Sequence, residues 1–192
     1  MITYILFDPG LQYSLREETR AAFQRDKVNL DYLIHKCPRL NAVFLETLRV
    51  TSGALSARKI VAPTPLGNRV LGSGNTILIP LRQLHYDPVA FDSDSDHFDS
   101  DRFLESKELK NSPSFRPFGG GVSLCPGQIL AKREMLALVA LVLNRFDIGL
   151  ATEEADPKPQ TFPKLDEYTP SLGGNGPVKG SDVFVDFRST GI

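Results

Sequence analysis

The run Pro117-Phe118-Gly119-Gly120-Gly121-Val122-Ser123-Leu124-Cys125-Pro126-Gly127 constrains this chain more than any other segment. Three successive glycines allow backbone conformations that a Cβ forbids, and they let the chain pass close to a flat or bulky neighbour against which Phe118 can pack. Pro126 suits the first position of a helix, where its fixed φ helps and its missing N–H is not needed. Residues 127–146 then read as one long helix whose middle, 135–143, is apolar nearly all round, the pattern of a buried helix. Cys125 is therefore expected at the helix cap. The amides of Gly127 and Gln128 can point at its sulfur there, and the helix dipole adds positive potential. Both effects favour thiolate over thiol.

Three readings fit such a cysteine: haem iron ligation, nucleophilic catalysis, and an inert buried thiol. A cysteine hydrolase needs a general base, and the three histidines, His35, His85 and His97, stand in no companion motif. A phosphate-binding loop is excluded, because no Gly-Lys-Ser/Thr follows the glycines. There is no Cys-x-x-Cys-His, so any haem is held without covalent attachment. Cys37 and Cys125, the two cysteines, lie far apart in sequence and make neither a disulfide framework nor a zinc-knuckle spacing; a single disulfide is open but has no sequence support, and the simple reading is a reducing compartment.

The remaining segments suggest an α+β chain in which helix dominates. Residues 11–27 read as an amphipathic helix, separated from an apolar start by Asp8-Pro9-Gly10. A second helix over 38–50 opens on Pro38 and repeats Leu40, Phe44 and Leu48 every four residues. Residues 58–61 and 76–80 look like short strands, with prolines and glycines punctuating the turns between them. Residues 86–111, with a Ser/Asp run at 92–96, read as an irregular surface loop. A Pro- and charge-rich loop over 153–164 and a terminal strand over 183–187 complete the pattern.

With 192 residues, 41% hydrophobic and 23% charged, the chain suits one domain or a large piece of one. A net charge of -1 and no basic tract argue against a nucleic-acid partner. Residues 1–7 are too few to cross a bilayer and lack the features of a signal peptide. They read as a helix entered partway along, so the native chain is expected to begin earlier.

Phe118, Gly121, Cys125 and Gly127 stand in the register Phe-x-x-Gly-x-x-x-Cys-x-Gly. The segment resembles the haem-ligand signature of cytochromes P-450, and its wording is closest to filamentous-fungal members. The family usually has Arg or His two residues before the cysteine, pairing with a haem propionate; here that position is Ser123, whose hydroxyl can donate a hydrogen bond but carries no charge. Glu46 and Arg49 stand at i and i+3 on an otherwise apolar helix, where a charge needs partners. They match the family's Glu-x-x-Arg pair. The segment ending Asp99-Ser100-Asp101-Arg102-Phe103 is similar to the family's Pro-Glu-Arg-Phe segment, with Arg102 as third partner and Ser100 and Asp101 in place of Pro and Glu. Glu17 and Arg20 share the same spacing but read as an exposed surface pair.

The resemblance spans nearly the whole chain and implies a partial P-450 domain over residues 1–192, the haem-binding C-terminal portion. It implies that the N-terminal half is lacking, with its membrane anchor and the oxygen-activating helix whose acid–Thr pair delivers protons. No catalytic residue of that kind lies within the chain. It implies non-covalent haem b with Cys125 as axial ligand, and haem contacts from Phe118, Gly119, Gly121, Ser123 and Gly127. Arg58, with Lys59 as competitor, and His85 are candidates for a propionate, and His97 reads as a solvated loop residue. Residues 54–56 and 171–174 fall near the family's distal and substrate-facing turns.

The family's reaction inserts one atom of O2 into a small apolar organic substrate, with electrons from NADPH through a reductase. Lys132 and Arg133 are candidates for docking it. A full-length relative sits on the cytoplasmic side of the endoplasmic reticulum membrane. The other reading is a truncated, inactive haem-binding remnant, which should expose apolar surface on the 135–143 helix and the Phe44 face and be poorly soluble.

Overall fold

The computed structural model describes residues 1–25, 27–151, 160–169 and 173–191. It is α+β with helix dominant, 43% helix against 19% strand. Helix α1 (Ile2–Leu6) and helix α2 (Pro9–Arg20) meet at Asp8, whose carboxylate accepts from the Leu11 amide at 2.9 Å and caps α2. The expected continuation of α2 to residue 27 does not occur. The chain turns at Ala21 and forms a short hairpin, β1 (Phe23–Gln24) and β2 (Lys27–Val28), with Arg25 at φ 56. Reversal here lets Phe23 and Val28 pack on the core and delivers the chain to helix α3 (Leu30–Lys36), capped by Asn29, an element the sequence reading did not separate.

Helix α4 (Pro38–Thr51) is the hub: α2 and α3 pack against it. Its own cap, Cys37, offers no side-chain bond. Instead the Glu18 carboxylate of α2 reaches across to accept from the Arg39 and Leu40 amides, both at 2.8 Å. A helix start is thereby satisfied from another element, and an acid is set at the positive end of the dipole.

Beyond α4 come β3 (Leu55–Lys59), β4 (Thr64–Leu66), β5 (Arg69–Leu71) and β6 (Thr76–Pro80). β3 pairs antiparallel with β6, Ala57 opposite Leu78, and the β4–β5 hairpin projects from their far end. The next stretch differs most from expectation. Residues 86–111 are not a solvated loop. After helix α5 (Leu81–His85) they form α6 (Pro88–Phe91), α7 (Arg102–Glu105) and a 3-10 turn over Lys107–Asn111. Phe91 and Phe103 are buried with Ala42 and Phe115 in a second core, and α7 lies on α4. Burying each aromatic ring is worth about 1.5–3 kcal/mol, enough to order a polar segment around two such anchors.

Helix α8 (Gln128–Arg145) then crosses α2, α3 and α4 and leads into β7 (Phe146–Leu150), paired antiparallel with β8 (Val185–Ser189). Leu136, Val139, Ala140 and Leu143 of α8 join Ile5, Leu15, Leu33, Leu40, Val43 and Phe44 in the main core. Leu138 on the opposite side of α8 is 50% exposed, so the helix is buried along one face and not all round. Phe44 lies in the core, 3% exposed, contrary to the expectation of an open Phe44 face. Most of the loop expected over 153–164, and residues 171 and 172 of the 171–174 turn, lie outside the described residues. Where the turn is described, Ser52 and Gly174 form an antiparallel bridge and Gly53 donates to the Gly173 carbonyl.

Candidate functional site

The cysteine loop folds back on itself. The Cys125 amide donates to the Phe118 carbonyl at 3.0 Å, and a 3-10 turn over Gly121–Ser123 fills the bend. Gly119 and Gly121 have φ of 76 and 64, a region that β-carbons disfavour, which explains the glycines there. Phe118 turns inward against the main core. Val122, Ser123, Leu124 and Cys125 are exposed. The cap of α8 is Gly127, two residues later than the expected Cys125, and the Gln128 amide bonds the Cys125 carbonyl instead of the sulfur. Pro126 lies in the turn before the helix. A β-carbon on Gly127 would sit 3.7 Å from the Cys125 sulfur, so any larger residue there touches the thiol.

Behind the loop lies a buried charged cluster that brings together Glu46, Arg49 and Arg102. Arg49 is fully buried and uses all five of its N–H donors. Nε and Nη2 clasp the two Glu46 oxygens at 2.8 and 2.7 Å. Nη1 donates to the His85 and Ser95 carbonyls, and Nη2 also to the His97 carbonyl. Glu46 Oε1 accepts in addition from the Asp99 amide at 3.0 Å and from Arg102 Nε at 3.2 Å. Arg102 Nη1 reaches the Phe91 carbonyl at 2.6 Å and Asp94 at 3.0 Å. Two carboxylates thus balance two guanidinium groups. The hydrogen bond from Arg102 holds the Asp94 carboxyl below its ordinary value. The sequence reading missed Asp94, since a Ser/Asp run carries the signature of solvent. Glu17 and Arg20, by contrast, are 3.6 Å apart and solvated.

His85 is buried, not facing a surface where a propionate could lie. Nδ1 stands 3.2 Å from the Arg49 carbonyl, and Nε2 accepts from the Arg116 amide at 2.8 Å. Burial pushes its pKa down to about 4. His97 is solvated beside Asp96. Arg58 is exposed on β3 and bonds the carbonyl of its neighbour Ala57. Lys132 and Arg133 border a cavity of about 520 Å³ under the loop, together with Phe44, Phe118, Leu124 and Lys110. Burial, then repulsion from Lys110, lowers the Lys132 pKa. Among the described residues no three His, Cys, Asp or Glu side chains converge to hold a metal ion, so a metal at Cys125 must bring other ligands with it.

The sequence model of the family described as Cytochrome P450 matches residues 1–170. The chain belongs to the cytochrome P-450 family. Among its relatives, Cytochrome P450 monooxygenase poxD of Penicillium oxalicum is 31% identical over 179 residues, 88% of this chain and 36% of that protein. Steroid 17-alpha-hydroxylase/17,20 lyase of Squalus acanthias is 29% identical over 160 residues, 77% of this chain and 30% of that protein. The structure of retinoic acid bound cyanobacterial CYP120A1 superposes with a TM-score of 0.76 at 21% identity, covering 97% of this chain and 40% of its own; it establishes the fold. The chain spans about a third of the length of the curated relatives it matches. Among the described residues no helix is long and apolar enough to cross a membrane.

The family's cofactor is haem, and the residues present suit it. Cys125 is solvent-facing on a loop whose glycines leave open space, with nothing within 4 Å of a β-carbon on Gly121. Exposed Val122, Leu124, Ile129 and Leu130 lie in the loop and the first turn of α8. A soft sulfur donor with apolar neighbours is the chemistry that a flat, largely apolar iron macrocycle requires.

Proposed function

We propose that this chain forms the haem-thiolate portion of a monooxygenase, with Cys125 as the residue that would ligate the haem iron. The observation that carries this reading is the exposed cysteine on a glycine loop, backed by a buried Glu46–Arg49–Arg102 cluster. In the bound state, haem supplies the oxygen chemistry: insertion of one oxygen atom into a small apolar organic substrate. The protein's residues hold and orient it. Cys125 donates thiolate electron density. Gly119, Gly121 and Gly127 keep the backbone close and leave the sulfur accessible, and Phe118 braces the loop from behind. Ser123 would supply a hydroxyl, and Arg58 a guanidinium, to the propionates. The cluster holds α6, α7 and the segment between them against α4, so the loop stands on a fixed base.

Lys132 and Arg133 present positive charge toward an NADPH-dependent reductase with an acidic docking surface. A full-length form would sit on the cytoplasmic side of the endoplasmic reticulum membrane, as the family resemblance implies. The test is the Soret band of the haem-loaded protein, reduced and exposed to CO. A strongly red-shifted band that disappears in Cys125→Ala is expected; an unshifted band in the parent protein contradicts the reading.

A further inference from the structure

None of the hydrogen bonds made by the Glu46, Arg49 and Arg102 side chains reaches residues 115–127. The base and the loop it supports are therefore joined by something else. Among the described residues, one hydrogen bond ties the loop to an element distant in sequence: the Arg116 amide donates to His85 Nε2 at 2.8 Å. The same ring meets the Arg49 carbonyl at the C-terminal end of α4, at 3.2 Å through Nδ1. His85 itself closes the circuit, since its carbonyl accepts from Arg49 Nη1 at 2.8 Å.

These partners fix the state of the ring. An amide can only donate, so Nε2 must present its lone pair. A carbonyl can only accept, so Nδ1 must carry the hydrogen. A doubly protonated ring would set one N–H against another at Arg116. It would also add a charge close to the Arg49 guanidinium, the charged group that faces the ring from α4; Arg116 faces it from the loop. The Phe115 ring, centred 5.5 Å away, closes one side. Burial holds the ring neutral.

We propose that His85 is a positioning residue for the cysteine ligand, a neutral strut that transmits the geometry of α4 to the loop presenting Cys125. The proposal rests on the haem-thiolate reading. It also explains why a titratable residue lies in this interior: an imidazole has a donor and an acceptor on opposite sides of a rigid ring, a combination that no apolar residue provides.

Three variants of the full-length, haem-loaded protein separate positioning from packing. His85→Gln places its amide oxygen near the Nε2 position and keeps an acceptor for Arg116. His85→Asn reaches the Nδ1 position and serves Arg49 alone. His85→Phe fills the ring volume and serves neither. The Gln variant is expected to keep the red-shifted CO Soret band. The Asn and Phe variants are expected to hold about tenfold more of their haem in the unshifted form, the consequence of a buried amide left without its acceptor.

A residue that only packs would make Gln and Asn alike, and equal ligation in those two overturns the proposal. Should the variants fail to fold, nitrogen NMR of imidazole-labelled parent protein decides. The expected signal at neutral pH is protonated Nδ1 with unprotonated Nε2; the opposite tautomer, or a doubly protonated ring, overturns the strut. A parent protein without the red-shifted band defeats the haem reading separately, and the tautomer result still judges the strut.

Discussion

The charged cluster on α4 and the cysteine loop hold polar groups in opposite ways. Arg49 is fully buried with every donor paired, and Glu46 beside it accepts from two arginines and a backbone amide. The loop is exposed from Val122 to Cys125, bends through two glycines at positive φ, and, among the described residues, has a single hydrogen bond to a distant element. A buried cluster of this kind is costly to desolvate and costly to break, so it makes an unforgiving base. The open loop contributes little to stability but leaves a sulfur accessible. Rigidity and accessibility are thus assigned to different parts of the chain, with His85 between them.

Glu46→Ala tests the contrast most severely. It strands two buried guanidinium groups, at a cost of about 3–5 kcal/mol, comparable with the whole stability of a modest domain. The expected product is misfolded and without haem, checked by soluble yield and circular dichroism. Soluble, haem-loaded Glu46→Ala would remove the base from the account.

The strut between the regions gives the next effect. The His85 pKa falls from 6.5 to about 4 on folding, so the unfolded chain binds a proton in that window and the native state does not. Stability therefore declines as the pH drops from about 6.5 to about 4, by about 3 kcal/mol from this group, and is unaffected by it above that window. Denaturant midpoints across this range should fall more steeply for the parent than for His85→Gln. Parallel curves would mean that the ring titrates normally.

Smaller effects belong to the loop. Gly121→Ala forces a β-carbon into φ 64, at about 1–2 kcal/mol, and should weaken haem retention more than it lowers the unfolding midpoint. Cys125→Ala should leave the unfolding midpoint of the haem-free protein within about 0.5 kcal/mol of the parent, because the side chain is solvated, while abolishing thiolate ligation. A large stability loss in this variant would mark Cys125 as structural.

Much of the base was legible in the sequence. Helix α4 is marked by Pro38 at its start and by apolar residues every fourth position, and the isolation of Glu46 and Arg49 on that helix signalled burial. The cysteine loop was marked by its glycines and by the register of Phe118, Gly121, Cys125 and Gly127. What the local pattern hid was long-range demand. The Ser95 and His97 carbonyls are fixed by Arg49, about fifty residues earlier, and nothing in a Ser/Asp run announces that. Two aromatic anchors, Phe91 and Phe103, order the segment with too few apolar residues to form a periodic signal. The hairpin at β1–β2 was hidden for the opposite reason: residues 21–27 tolerate a helix, and only packing of Phe23 and Val28 on the core selects the turn. Cap placement at α8 slipped by two residues, from Cys125 to Gly127, because Pro126 fits either the turn or the helix start.

The central claim is that Cys125, standing on this base, binds the haem iron. X-ray absorption at the iron edge of the haem-loaded protein tests it most directly. One sulfur in the iron's first coordination shell is expected in the parent and in Cys37→Ala, and none in Cys125→Ala. A parent without sulfur at the iron, or a Cys125→Ala protein that retains it, would contradict the account.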